Sequence, residues 1–189
     1  TAVTELELHS ADTFTFENDP VNLPPRGWVN TSLAQVVDTA PTTNEPRTPG
    51  FESRRALRLL DFAADDIARA KLPFAQQQAA TIDYQMMAIN RQTGTLVTVG
   101  GVDAAGKPLD TWHFSIDLIN GRVSQYDGSA WHSIGMLPKP IQPNEWVTVS
   151  ITASPTSVSI TIAGTTFQGG AGYGPQPVAL SSLQFSSSG

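Results

Sequence analysis

The sequence predicts an all-β protein, a sandwich or a barrel of short antiparallel strands. Three observations predict it. The first is "NEWVTVSITASPTSVSITIAG", residues 144–164, where Val147, Val149 and Ile151 alternate with Thr148, Ser150 and Thr152. After Ser154-Pro155, Val158, Ile160 and Ile162 alternate with Ser157, Ser159 and Thr161. A period of two on both sides of a turn is a hairpin with one dry side and one wet side. The second is the recurrence of short apolar segments bounded by Gly, Pro, Asn or Asp along the chain. The third is Asn120-Gly121, a favoured hairpin turn, between two further alternating runs.

In chain order, "TFTFE" (13–17) is the first strand candidate. Residues 18–50 are rich in Pro, Asn and Thr and read as surface loops, with one short helical turn at 33–37. "RALRLLD" (55–61) reads as a strand. "DFAADDIARAKLPF" (61–74) has helical propensity by composition, and its local sequence leaves helix and strand open. "ATIDYQMMAIN" (80–90), "GTLVTVGG" (94–101) and "VALSSLQFSSS" (178–188) complete the outlying strands. No repeat or linker divides the chain, so 1–189 is expected to be one domain.

The stretch 111–135 carries the dipeptide Trp-His twice, at Trp112-His113 and Trp131-His132. A two-residue turn at Asn120-Gly121 sets Ile119 against Arg122, Leu118 against Val123 and Ser115 against Tyr126. Trp112, Phe114, Ile116, Leu118 and Val123 then share an apolar side. His113, Ser115, Asp117, Arg122, Ser124 and Tyr126 share a polar one. An even-length loop at 127–130 brings Trp131 to the polar side beside Tyr126 and sends His132 and Ile134 to the rim of the core. A three-residue loop would reverse this. In the 144–164 hairpin, Thr152 is set against Ser157, so Val149 faces Ile160 and Val147 faces Ile162. Strands are expected near 80–90, 111–119, 122–126, 145–153 and 156–163, with Val149, Ile151, Ile160, Phe114 and Ile116 buried. Trp146 is expected under a loop or edge, and Trp28 as a loop anchor or a second platform.

Composition narrows the function. The chain has 189 residues, 40% of them hydrophobic and 15% charged, with three lysines and a net charge of −6. An acidic chain without a basic run is a poor partner for nucleic acid or an anionic membrane, and no run is long enough to span one. The absence of cysteine removes disulfides, thiol catalysis and thiolate metal sites. The Ser/Thr/Gly-rich, lysine-poor composition suits a secreted bacterial protein, and the start at "TAVTELELHS" reads as a mature or excised segment.

The polar side of 111–135 gathers Trp131, Tyr126, His113, Asp117 and Arg122. That combination suits a sugar, whose C–H faces stack on aromatic rings and whose hydroxyls bind planar polar groups. An ordinary solvated sheet face carries the same residue types, but a tryptophan on a wet face is costly without a purpose. Other chemistry is missing: there is no Gly-x-Ser-x-Gly elbow, phosphate loop, His-Glu-x-x-His or Glu-x-Asp-x-x-Glu. Asp65 and Asp66 are adjacent, so on a strand they point to opposite faces. Glu17 and Asp19 in "FENDP" (16–20) are the candidates for a hard cation such as a structural calcium, with a capped turn as the alternative.

"FTFENDPVNLPPRGW", "SRRALRLLDFA", "ATIDYQMMAI", "HFSIDLINGRVSQYDGSAWHSIG", "NEWVTVSIT…VSITIAG" and "VALSSLQFSSSG" follow one another in order. This succession resembles the concanavalin A-like lectin/glucanase superfamily, the laminin-G-like jelly rolls, and within it bacterial extracellular members attached to polysaccharide-degrading enzymes. The resemblance spans nearly the whole chain and rests on structural motifs. It implies two stacked antiparallel sheets in a jelly roll, one of them concave. It also tips 61–74 toward strand and irregular structure. Members bind glycans on the concave sheet or edge loops, and some hold calcium.

The expected function is a non-catalytic carbohydrate-binding or accessory module, tethered to a secreted polysaccharide-active enzyme and binding a poly- or oligosaccharide. One alternative is a jelly-roll polysaccharide lyase using Tyr126, His113, Arg122 and Gln125, although Gln125 falls on the apolar side of the hairpin. The other is a protein-interaction or spacer domain.

Overall fold

The computed structural model describes residues 2–8, 12–14, 16–38, 55–60, 67–88, 94–172 and 174–187. Among these residues there are strands and no helix. The protein is all-β, a two-sheet antiparallel β-sandwich of the jelly-roll type. One sheet has eight strands. Its main path is β14 (Thr165–Gln168), β13 (Val158–Ile162), β12 (Trp146–Ala153), β7 (Ala80–Ala88), β1 (Ala2–Leu8), β5 (Arg55–Leu59) and β4 (Ala34–Asp38), while β2 (Asp12–Phe14) pairs with β1 off that path. The other sheet has seven, in the order β11 (Trp131–Met136), β10 (Arg122–Tyr126), β9 (Pro108–Asp117), β8 (Thr95–Val102), β15 (Ala179–Ser187), β6 (Arg69–Gln77) and β3 (Val29–Ser32).

The core lies between the sheets, where the period-two pattern aims it. Ile82, Tyr84, Met86, Val149, Ile151 and Ile160 enter from the eight-stranded sheet, and Val97, Trp112, Phe114, Ile116, Leu183 and Phe185 from the seven-stranded one; all are buried. The five residues expected in the core are there. Each such apolar side chain withdrawn from water contributes about 1.5–3 kcal/mol. Phe185 sits at the centre, edge-on to Tyr84 at 5.0 Å and stacked on Trp28 at 6.2 Å. Trp28 in turn meets Phe16 at 5.9 Å. Trp28 is therefore the anchor of the N-terminal loop, buried, and no surface platform. Trp146 packs with Val37, Ala56 and Met87 in a separate small cluster.

Three expectations are corrected. The helical turn at 33–37 is instead the start of β4, entered through Leu33 at φ +50°. Val36 and Val37 are both buried there, in a ladder with β5, and that pairing outweighs the local preference. The segment 61–74 is no correction: its described part contains the start of β6, in line with the strand that the resemblance implies and against helical composition, while residues 61–66, with Asp65 and Asp66, lie outside the described residues.

Both hairpin registers differ by two residues from the expected ones. In β9 and β10, Asp117 pairs with Arg122 and His113 with Tyr126. The turn is the four residues 118–121, and of its Asn-Gly pair only Gly121 has positive φ, +71°. The longer turn lets Leu118 fold into the core, while Asp117 caps it by accepting from the Asn120 backbone N–H at 3.0 Å and its side-chain amide at 2.7 Å. In β12 and β13, Ile151 pairs with Ile160 and Val149 with Ile162. Its turn, 154–157, is closed by Ser154 donating backbone to backbone to Ser157 at 2.8 Å. A shift of two keeps every side chain on its face.

Candidate functional site

The outward face of the seven-stranded sheet carries a row of side chains in register across every strand. Val29 pairs with Lys71, Lys71 with Gln184, Gln184 with Thr98, Thr98 with His113, His113 with Tyr126, and Tyr126 with Trp131. The row becomes aromatic toward the β11 edge. His113 and Tyr126 meet edge to face, with ring centroids 6.2 Å apart. Tyr126 and Trp131 lie 5.3 Å apart, tilted by 44°. The loop between the last two is the four residues 127–130, the even length that brings Trp131 beside Tyr126. Trp131 is 45% exposed, the most open tryptophan among the described residues.

His113 sits lower than its neighbours. It is half-buried, and its Nδ1 lies 3.3 Å from the Thr98 hydroxyl, itself a buried group. Burial lowers the imidazole pKa below its ordinary value, against an opposing pull from the Asp110 carboxylate. Asp110 also lies 3.7 Å from the Lys71 ammonium. The face thus has a recess at Thr98 and His113 and an open rim at Tyr126 and Trp131.

The next row along the strands is dominated by hydroxyls: Arg69, Ser186, Leu96, Ser115, Ser124 and Ser133 stand in register. Beyond it, Arg122 is exposed opposite Asp117 on one side and Met136 on the other. Asp117 is on the expected face, but both its carboxylate oxygens are engaged by Asn120. The five residues singled out from the sequence therefore share one face, in two functions: Trp131, Tyr126, His113 and Arg122 present side chains, and Asp117 holds the turn beside them.

His132 departs from expectation. Its side chain is 60% exposed, not tucked at the core rim, and its Nε2 lies 2.7 Å from an Asp127 carboxylate oxygen. It lies on the edge strand β11, paired with Gln125 on one side and, among the described residues, with no strand on the other. Gln125 lies on the core side. Its amide donates to the Ala171 carbonyl at 2.9 Å and accepts from the Gly170 N–H at 2.7 Å, pinning the strap that follows β14.

Glu17 and Asp19 are occupied by arginine. Glu17 accepts from the Arg55 N–H at 3.2 Å, and Asp19 accepts from the Arg26 N–H at 3.2 Å. The Arg55 guanidinium also donates to the Asp19 carbonyl. Among the described residues, no three His, Asp or Glu side chains are grouped to hold a metal ion.

Lys71, Thr98, Gln184 and Asp110 were not found from the sequence. Alternation within 94–101 and 178–188 gives the facing of Thr98 and Gln184. It does not reveal that β8, β15 and β6 are neighbours, because those strands are far apart in the chain.

No family model matches the sequence, and no curated protein matches it. Solved structures do. A sialidase aligns over 88% of this chain and 12% of its own, with 12% identity and a TM-score of 0.52. The chain thus spans about an eighth of that protein's length. The carbohydrate-binding module CBM66 from Bacillus subtilis aligns over 88% of this chain and 92% of its own, at 13% identity and a TM-score of 0.46. The galectin LEC-6 of Caenorhabditis elegans covers 62% of this chain and 86% of its own, at 17% identity and a TM-score of 0.41. These likenesses are likenesses of fold.

Proposed function

We propose that this chain is a non-catalytic carbohydrate-binding module that takes a poly- or oligosaccharide on the outward face of its seven-stranded sheet. One observation carries the reading: an exposed Trp131 stands against Tyr126, in line with His113, beside a row that includes the hydroxyls of Ser115, Ser124, Ser133 and Ser186. A pyranose offers C–H groups to the two rings and hydroxyls to His113, Arg122 and the serine row. A large apolar ring kept in water is costly, and a stacking partner offsets that cost. The fold shared with part of a sialidase is in keeping with this role. On composition, we further read the module as secreted and attached to a polysaccharide-active enzyme.

A glycan array on the wild-type chain and on Trp131→Ala tests the proposal. Selective binding that disappears in Trp131→Ala, with an unchanged melting temperature, supports it. Binding to no glycan, or equal binding by both proteins, overturns it. Release of unsaturated uronate products from a polyuronate would replace binding with elimination as the function.

A further inference from the structure

The loop 127–130 joins the two rings of the aromatic rim directly, since Tyr126 is the last residue before it and Trp131 the first after it. Closing the loop takes one backbone bond, from Asp127 N–H to the Ala130 carbonyl at 3.2 Å. Far more is invested in it. One Asp127 carboxylate oxygen accepts from the Ser129 N–H at 2.8 Å, the Ser129 hydroxyl at 2.8 Å and the Ala130 N–H at 2.9 Å. The other faces His132 Nε2 at 2.7 Å. The backbone donors of Ala130 and Ser129, then the Ser129 hydroxyl and His132, hold this carboxyl well below the usual carboxylate range. The Tyr126 hydroxyl donates to the Gly128 carbonyl at 3.0 Å, which ties the second ring to the same loop.

These bonds are not a by-product of burial. Asp127, Ser129, Ala130 and His132 are all exposed, and an exposed ion pair contributes little to global stability. The need for them is local. Among the described residues, strand β11 is the edge of its sheet, and it is bulged at Ile134, three residues past Trp131. Among the described residues, no further strand pairs with β11 on the outer side of Trp131.

We propose that Asp127 and His132 form a positioning device for the rim: they hold the loop that carries Tyr126 and Trp131, so that a sugar meets both rings already in place. The inference rests on the carbohydrate-binding reading above and adds residues that touch no sugar. Its expected signature is a loss of affinity without a loss of fold. Leaving one more side chain to be ordered on binding weakens affinity by about three- to ten-fold.

The test compares His132→Ala with His132→Gln, whose amide can still donate to Asp127, in three measurements. Thermal melting reports the fold. Acrylamide quenching of Trp131, taken as the difference between each protein and its Trp131→Phe derivative, reports the ring without any ligand. Affinity electrophoresis in gels containing levan, galactan or mixed-linkage β-glucan reports binding. The expected result for His132→Ala is an unchanged melt, a more quenchable Trp131 and about three- to ten-fold weaker retardation in any gel that retards the wild type through Trp131. His132→Gln should restore both signals. An unchanged Trp131 signal in His132→Ala overturns the proposal, as does a fall in melting temperature large enough to account for the change. If no gel retards the wild type, the carbohydrate reading loses its support, while the ligand-free Trp131 signal still decides the positioning claim.

Discussion

The two Trp-His dipeptides have the same local sequence and opposite fates. Trp112 is 2% exposed, wedged between the sheets with its Nε1 donating to the Ser154 carbonyl at 3.3 Å. Trp131 is 45% exposed on the outward face. Their histidines differ in turn. His113 lies in the recess against Thr98, and His132 stands in solvent against Asp127. Nothing within either dipeptide dictates this. The ladder does: Tyr126 pairs with both His113 and Trp131, so Trp131 falls in line with the histidine of the first dipeptide and not with its tryptophan. Register, set by the lengths of the loops between the strands, assigns the same side chain to the core in one place and to the outward face in the other.

The largest effect that could break this contrast is on the buried side. Trp112→Ala is expected to cost about 3–5 kcal/mol, the sum of lost transfer energy and the cavity left behind. Urea denaturation measures it, and a loss under about 1 kcal/mol would contradict a core position. Ile160→Ala removes a fully buried side chain opposite Ile151 and is expected to cost about 2–5 kcal/mol by the same measurement. Trp131→Ala reverses the pattern. Its stability should stay within about 0.5 kcal/mol of the wild type, as for a surface substitution, while glycan binding is abolished. If Trp131→Ala unfolded the domain and Trp112→Ala did not, the two faces would be exchanged.

Much of this contrast was legible in the sequence. Alternation assigns Trp112, Phe114 and Ile116 to one side and His113 and Tyr126 to the other, and Trp131 joins the second set on condition of an even-length loop at 127–130. What alternation cannot register is a shift of two, because such a shift returns each residue to its own face. The turn therefore decides, by one tertiary contact and one local one: burial of Leu118 in the core, and the Asp117 carboxylate capping Asn120 three residues on. Other gaps have similar causes. In β1, Leu6 and Leu8 alternate with Glu5 and Glu7, a period-two signal available in the sequence but short and close to the chain's start. Strand β6 is held by β15, more than a hundred residues later, and no local pattern can announce that partner. The neighbours of His113 on the β8 side were hidden for the same reason.

The smallest expected effect concerns His113 in its recess. Burial holds the His113 imidazole below its ordinary pKa, so the folded protein prefers it neutral. As pH falls through the ordinary histidine value of about 6.5, the unfolded chain takes up a proton that the folded chain still refuses. Stability is therefore fully present above that value and declines as pH drops toward the lowered folded value. The depressed Asp127 carboxyl acts with the same sign, but its window opens only below the ordinary carboxylate value of about 3.9. Between about pH 7 and pH 5, then, His113 can be isolated from Asp127. Urea denaturation of the wild type and of His113→Gln across that range should give a shallower pH slope for the variant. Equal slopes for the wild type and His113→Gln would mean that the recess does not disfavour the charged imidazole.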